Sequence, residues 1–281
     1  MYNKDVKDTP MENNTNQNNA PYLPKTSPAS KAYIGHVIAV ISGKGGVGKS
    51  FTASYLAVKL RRKGFKVGIL DADVTGPSVP FTFNVKGPVM GDGGYFYPVK
   101  SRTGIEIISS NLLLDNPNDP IVWRGPMIAT LLEQFYSEVI WDVDYLIIDM
   151  APGTSDISLT IFQKIQLSSA VLVSTPQSLV NLIVEKSAKM ASMLNVPLLS
   201  LVENEAYVLC PKCGEKIRVF GEVDPLIGKK NGIPVFDEVP FDPEIAKHID
   251  SGDIESLDVP YLDSTVDAII ANSDDEADRQ R

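Results

Sequence analysis

Residues 36–71 read HVIAVISGKGGVGKSFTASYLAVKLRRKGFKVGILD, and this stretch decides the fold. The apolar run from His36 to Ile41 ends at Ser42. A short apolar run bounded by turn residues has the length of a buried strand. TASYLAVKLRRKG follows the glycines. In it Tyr55, Leu56, Val58 and Leu60 form much of an apolar helical face, and Gly64 supplies a stop. FKVGIL, from Phe65 to Leu70, is a second strand that ends at Asp71. The connection between the two strands is long enough for a βαβ unit, in which they run parallel.

The loop inside this unit, GKGGVGKS at 43–50, fits the spacing G-x-x-x-x-G-K-S. It also lies between a strand and a helix, the context a phosphate loop requires. Gly43, Gly45, Gly46 and Gly48 let the backbone come close to phosphates. The amides through Val47 and the start of the helix then face anionic oxygens. Lys49 is expected to reach the β- and γ-phosphates, and Ser50 to bind Mg²⁺ through its hydroxyl. A glycine-rich turn that binds nothing would need neither the full motif nor this context. Lys44 has two readings. A flexible lysine at that point can offset charge on a transferring phosphate, in its own subunit or across a dimer interface, or it can be a solvated surface group.

The strand-helix pattern continues outward. Ile105–Ile108, Tyr145–Ile148, Ala170–Val173 and Pro197–Val202 read as strands; Met127–Ile140 and Leu179–Leu194 read as helices. Continuous apolar strands between helices predict an α/β fold: a single P-loop NTPase domain, its mostly parallel sheet covered by helices on both faces. Tyr95–Pro98 follows a glycine pair and predicts a small hairpin at the rim. Asp71 and Asp73 follow the second strand, and Asp149 ends a later one in IIDMAPGTSD. Carboxylates at the carboxyl ends of parallel strands reach one crevice. Asp149 is the natural magnesium carboxylate, with Asp71 a second candidate, directly or through water. Asp73 is placed to orient an attacking water, and Gly153 to offer an amide near the γ-phosphate. Taken singly, each aspartate is also a plausible helix cap.

The chain has 281 residues, 43% hydrophobic and 22% charged, enough for one large α/β domain. A net charge of −9 argues against a general binder of nucleic acid or anionic membrane, both of which need a basic surface. No apolar run reaches the length of a membrane span, and the first thirty residues lack a signal-peptide core. These features predict a cytoplasmic protein. Residues 1–33, rich in Asn, Pro and Thr, are expected to be disordered. The ATPase domain is expected over 34–255, including a cysteine segment at 207–221. Residues 251–281 hold nine Asp/Glu against two Arg and read as a solubilising tail, with the segment 256–281 outside the domain and disordered at its end.

The two cysteines, Cys210 and Cys213, lie in VLCPKCGEKIRVFG at the spacing of a metal knuckle. Zinc and iron–sulfur clusters both favour four ligands, often all thiolate. One chain offers two, and neither His36 nor His248 stands at knuckle spacing. A four-thiolate centre would therefore be shared by two chains about a two-fold axis. An intrachain redox dithiol and a pair without a cofactor are the rival readings.

The ordered set of segments resembles the Mrp/NBP35 (ApbC-like) family of P-loop iron–sulfur cluster carriers. That family sits in the deviant Walker A group with the MinD, ParA and nitrogenase iron protein types. The resemblance covers roughly Gly35 to Asp250 and rests on GKGGVGKS with its signature Lys44, ILDADVTGPSVP, VWRGPM, DYLIIDMAPGTSD, STPQ, VENEAYVLCPKCGEKIRVFG and PFDPEI. It implies a homodimer that bridges a [4Fe–4S] cluster with Cys210 and Cys213 of both subunits, zinc being able to take the same thiolates. It implies ATP and Mg²⁺ at the loop, slow hydrolysis, and delivery of the cluster to apoproteins, with scaffold proteins as further partners. It gives Lys44 a role at the phosphates, makes Asp73 the water-orienting residue and Asp149 the Walker B acid, and puts Asn204 at the adenine base. Phe51 stands where the family usually has Thr, while Ser50 keeps the magnesium ligand. Two other classes share the loop. A MinD- or ParA-like regulator needs a basic amphipathic or DNA-binding surface, which an acidic chain lacks. A nucleotide-stabilised scaffold would hold zinc at the cysteines.

Overall fold

The computed structural model describes residues 24–74, 76–114, 125–153, 156–176, 180–221 and 226–279. The first half runs β1 (Tyr33–Ser42), α1 (Lys49–Arg62), β2 (Val67–Asp71), α2 (Val79–Thr82), β3 (Met90–Asp92), β4 (Tyr95–Tyr97), β5 (Val99–Lys100), β6 (Glu106–Ile108) and α3 (Gly125–Ser137). The second half runs β7 (Asp142–Asp149), α4 (Asp156–Lys164), β8 (Ser169–Ser174), α5 (Val180–Met193), β9 (Leu198–Glu203), β10 (Val208–Leu209), β11 (Lys216–Ile217), α6 (Ile227–Lys230), β12 (Val235–Glu238), α7 (Pro243–Asp250) and α8 (Asp263–Arg279).

The central sheet has the order β12-β9-β8-β1-β7-β2-β6-β5. Every pairing in it is parallel except β5 with β6. Both faces are covered, as the apolar strands predict. Ile128, Leu132 and Phe135 of α3, Phe162 of α4 and Val184 of α5 fill one face; α1 and α8 fill the other. The expected rim hairpin is the pair β3–β4. On the first face Trp141 is fully buried and donates its indole N–H to the Phe135 carbonyl at 3.1 Å. A Cβ at Gly68 would lie 2.8 Å from the Trp141 ring, so the glycine makes room for it. Helix α1 is buried well beyond its apolar stripe: Thr52 and Ser54 are enclosed as fully as Leu56.

Two expectations about the chain ends are corrected. The acidic C-terminal stretch is not a solubilising tail outside the domain. Val266 and Ile269 of α8 are fully buried, and Thr265 bonds both Ser200 and Asp237. Its acids are paired with the basic end of α1: Lys59 with Asp263, Lys63 with Asp267, and Arg62 with Asp258 just before the helix. At the other end, the part of 1–33 from Pro24 onward is docked rather than disordered. The Thr26 amide donates to Lys164, its hydroxyl to Glu133, and the Lys25 ammonium to the Phe162 and Ile165 carbonyls at 2.8 and 2.9 Å. Those carbonyls lie in the last turn of α4 and just beyond it, where no intrahelical donor remains. Residues 1–23 lie outside the described residues, as do 122–124 of the VWRGPM segment. Among the described residues no helix is long and apolar enough to cross a membrane.

Candidate functional site

The phosphate loop joins β1 to α1 at the centre of the sheet. Gly46 and Gly48 take positive φ values of 75° and 82°, which L side chains disfavour. Gly48 is also sterically closed, since a Cβ there would lie 2.1 Å from Asn204 Nδ2. No side chain caps α1, so its first amides stay available to an anion. Gly43 packs on Ile183 of α5, Gly45 faces Pro152, and the Ser42 hydroxyl holds the Lys44 carbonyl at 3.0 Å. Val47 and Phe51 are buried, with Phe51 stacked on Tyr55. Lys44 lies half-buried on the loop itself.

Lys49 turns inward. Its ammonium lies 2.6 Å from Asp149 Oδ1, with side chains 6% and 0% exposed. Asp149 Oδ2 finds no partner among the described residues. Burial raises the Asp149 carboxyl above its ordinary range, while the Lys49 charge and hydrogen bonds from Lys49 and Ser50 pull it down. Asp71 sits one strand further from the loop, beside Asp149 in the β2–β7 register. Its oxygens accept from the amides of Asp73 and Val79 and from the Ser109 hydroxyl. Burial, then the Asp149 charge, holds it well above the usual carboxylate range. The structure thus spends Asp71 on ordering the chain after β2 and leaves Asp149 and Ser50 together at the loop. Asp73 is half-buried and close enough for its charge to raise Asp149.

Two further residues are engaged within the chain. The Gly153 amide donates to the Ser42 carbonyl at 2.8 Å, latching the segment after β7 onto the loop strand. Asn204 is buried under the loop, where Nδ2 donates to the Val47 carbonyl at 3.1 Å.

Cys210 and Cys213 occupy the turn of the β10–β11 hairpin. The Cys210 amide bonds Glu215 and the Gly214 amide bonds Cys210, both at 2.9 Å, and Gly214 has φ 74°. Cys210 is half-buried and Cys213 exposed. The Lys212 and Cys213 backbone amides, and then the Cys213 thiol, lower the Cys210 pKa. Among the described residues no group of three or more His, Cys, Asp and Glu gathers to hold a metal ion, so these thiols have no third protein ligand among them. Leu209 and Ile217 on the hairpin, and Val219 and Phe220 just after it, are exposed apolar side chains. His36 packs on Tyr145, and His248 is held by the Asp253 carbonyl, away from the thiols.

A phosphate loop and a two-cysteine turn on one chain are matched by a family model described as NUBPL iron-transfer P-loop NTPase, in the ParA group, over residues 33–272. The chain belongs to this family. The iron-sulfur cluster carrier protein of Clostridium perfringens is 44% identical over 232 residues, 79% of this chain and 81% of the relative. The carrier protein of Pseudomonas fragi is 41% identical over 83% of this chain and 82% of its own. Among solved structures, a nucleotide-binding protein from Archaeoglobus fulgidus in complex with ADP superposes with a TM-score of 0.74 at 40% identity, covering 82% of this chain and 91% of that one.

Sequence reasoning named Lys49, Ser50, Asp149 and the cysteines but not what surrounds them. In particular it passed over Glu203, a buried acid at the end of β9 beside Asn204. A glutamate closing the apolar run PLLSLVE was the available signal.

Proposed function

We propose that this protein is an ATP-dependent carrier of [4Fe–4S] clusters. It works as a homodimer, holds the cluster on Cys210 and Cys213 of both subunits, and passes it to apoproteins with slow ATP hydrolysis. The observation that carries this reading is the solvent-facing hairpin with two thiols and no third ligand among the described residues. Four-thiolate clusters then require a second copy. The apolar rim of Leu209, Ile217, Val219 and Phe220 supports such pairing, because exposed apolar residues beside a functional group favour association. The names of relatives at about 40% identity support the cargo.

At the loop, the unserved Asp149 oxygen and the Ser50 hydroxyl fit a hard cation with oxygen ligands. Mg²⁺ held there supplies positive charge to the phosphate oxygens. The amides of Gly43–Ser50 bind the phosphates. Lys49 exchanges Asp149 for the β- and γ-phosphate oxygens, and Lys44 adds a second positive charge. Asp73 orients the attacking water, and the Gly153 amide leaves Ser42 to meet the γ-phosphate. Asn204 contacts the adenine while bracing the loop at Val47. A net charge of −9 supports a cytoplasmic protein that engages neither nucleic acid nor membrane.

The test is anaerobic reconstitution with iron and sulfide, comparing wild type with Cys210→Ala/Cys213→Ala. About four irons and four sulfides per dimer, lost in the variant, are expected. Wild type that binds ATP but assembles no cluster refutes the carrier reading.

A further inference from the structure

The carboxyl ends of β9 and β12 carry a charged cluster that neither nucleotide nor cluster chemistry uses. Glu203 and Glu238 stand opposite each other in the parallel register. Glu203 is 1% exposed, and its Oε2 has no partner among the described residues. Glu238, nearer the surface, holds the cysteine hairpin: Arg218 Nη1 lies 2.6 Å from Oε1, and Lys216 Nζ lies 3.8 Å from Oε2. Lys216 also covers the Tyr207 ring at 4.2 Å. On the other side, Asn204 braces the phosphate loop at Val47. The cluster therefore stands between the nucleotide loop and the thiols.

Two arrangements are open to it. With a proton on Glu203, Arg218 stays on Glu238. Without the proton, a bare carboxylate at that depth is costly, and a guanidinium is the donor best able to satisfy it. Arg218 follows β11 directly, so turning it inward draws on the strand that leads out of Cys213. The charged groups that face Glu203 are Glu238 on β12 and Arg218 after β11; Lys216 acts on Glu238. Burial first, and then the Glu238 charge, pushes the Glu203 carboxyl up to about 7, against the pull of Arg218. Both arrangements are thus accessible near neutral pH.

We propose that Glu203 is a positioning residue: its carboxyl competes with Glu238 for the Arg218 guanidinium, and the outcome sets how the β10–β11 hairpin presents Cys210 and Cys213. This rests on reading those thiols as the functional ones, but it does not need a bound cluster.

The experiment uses the full chain, free of nucleotide and cluster. The rate of Cys213 alkylation by iodoacetamide is followed by mass spectrometry from about pH 6 to about pH 8.5. Thiol ionisation contributes equally to wild type and Glu203→Gln, so the ratio of their rates isolates Glu203. That ratio is expected to change by ~3-fold across the range as the hairpin alters the presentation of Cys213. Glu203→Asp restores a pH step. Glu238→Gln, which removes the like charge, moves the step to lower pH, and this arm decides the matter if Glu203→Gln does not fold. A pH-independent ratio, or a step that Glu238→Gln leaves in place, overturns the proposal. Failure of cluster assembly would leave the step intact, so the two readings fail separately.

Discussion

Lys49→Met removes an ammonium and keeps most of the apolar stem, which makes it a direct probe of the loop before any nucleotide arrives. In the chain as folded, that ammonium is 2.6 Å from a carboxylate with 0% exposure, whose other oxygen is already without a partner among the described residues. Breaking one side of a buried pair typically costs about 3–5 kcal/mol, because the remaining charge is stranded. The cost depends on pH in a definite direction. Burial already raises Asp149, and Lys49 opposes that rise, so its loss raises the carboxyl further. A folded-state pKa above the unfolded one removes stability as pH rises through the interval between them. The deficit of Lys49→Met is therefore largest at neutral pH and shrinks as pH falls towards the ordinary carboxylate range. Urea unfolding without nucleotide at about pH 7.5 and about pH 5 measures both values. Adding Asp149→Leu removes the stranded charge and should recover most of the loss, a coupling of about 2–3 kcal/mol. A Lys49→Met cost below ~1 kcal/mol at both pH values, or a double variant no better than the single, would refute this account.

Gly48→Ala puts a methyl group at φ 82° and 2.1 Å from the Asn204 amide, so ADP affinity measured by calorimetry should fall at least ~10-fold; unchanged affinity would mean the loop tolerates the clash. Trp141→Ala empties the space beside Gly68 and strands the Phe135 carbonyl, with an expected loss of ~3–5 kcal/mol in urea melts. For Glu203 the folded pKa is raised from 4.5 to about 7, so stability should fall between those pH values by at most about 3 kcal/mol, and the fall should vanish in Glu203→Gln. Removing residues 1–27 takes away the Lys25 and Thr26 contacts; hydrogen exchange should quicken in the last turn of α4, with a stability loss of about 1–2 kcal/mol.

The sequence made the centre of the molecule legible and the periphery much less so. Strands such as YLII and AVLV are buried on both faces, and continuous apolar runs between helices are the direct imprint of that burial. The loop was equally plain, because phosphate binding needs glycines and a lysine at fixed offsets. The role of the C-terminal acids was hidden for a different reason. Asp263 and Asp267 look like solvated charges until Lys59 and Lys63 are placed beside them, and each pair is separated by 204 residues of chain. Lys25 gave no local sign either, since its partners are backbone carbonyls of a helix more than a hundred residues away. Periodicity reports burial along one element; it does not report which distant element supplies a counter-charge or an empty carbonyl. The division between Asp71 and Asp149 escaped for the same reason, as it depends on Val79 and Ser109 reaching one carboxylate first.

The anchoring of Lys25 and Thr26 changes what α4 can do mechanically. Nine residues make a rod ~13 Å long, held at its distal end by Lys25 and Thr26 and near its start by the Ser158 hydroxyl, which donates to the Ala151 carbonyl at 3.2 Å. A rod fastened so cannot slide along its axis. Any displacement of the 149–153 segment would reach α4 through the Ala151–Ser158 bond and, with the distal end anchored, would become tilt. That tilt bears on α3, which packs against α4 and is joined to the same anchor through Glu133. Shortening the amino terminus would therefore convert a hinged lever into a loose strut.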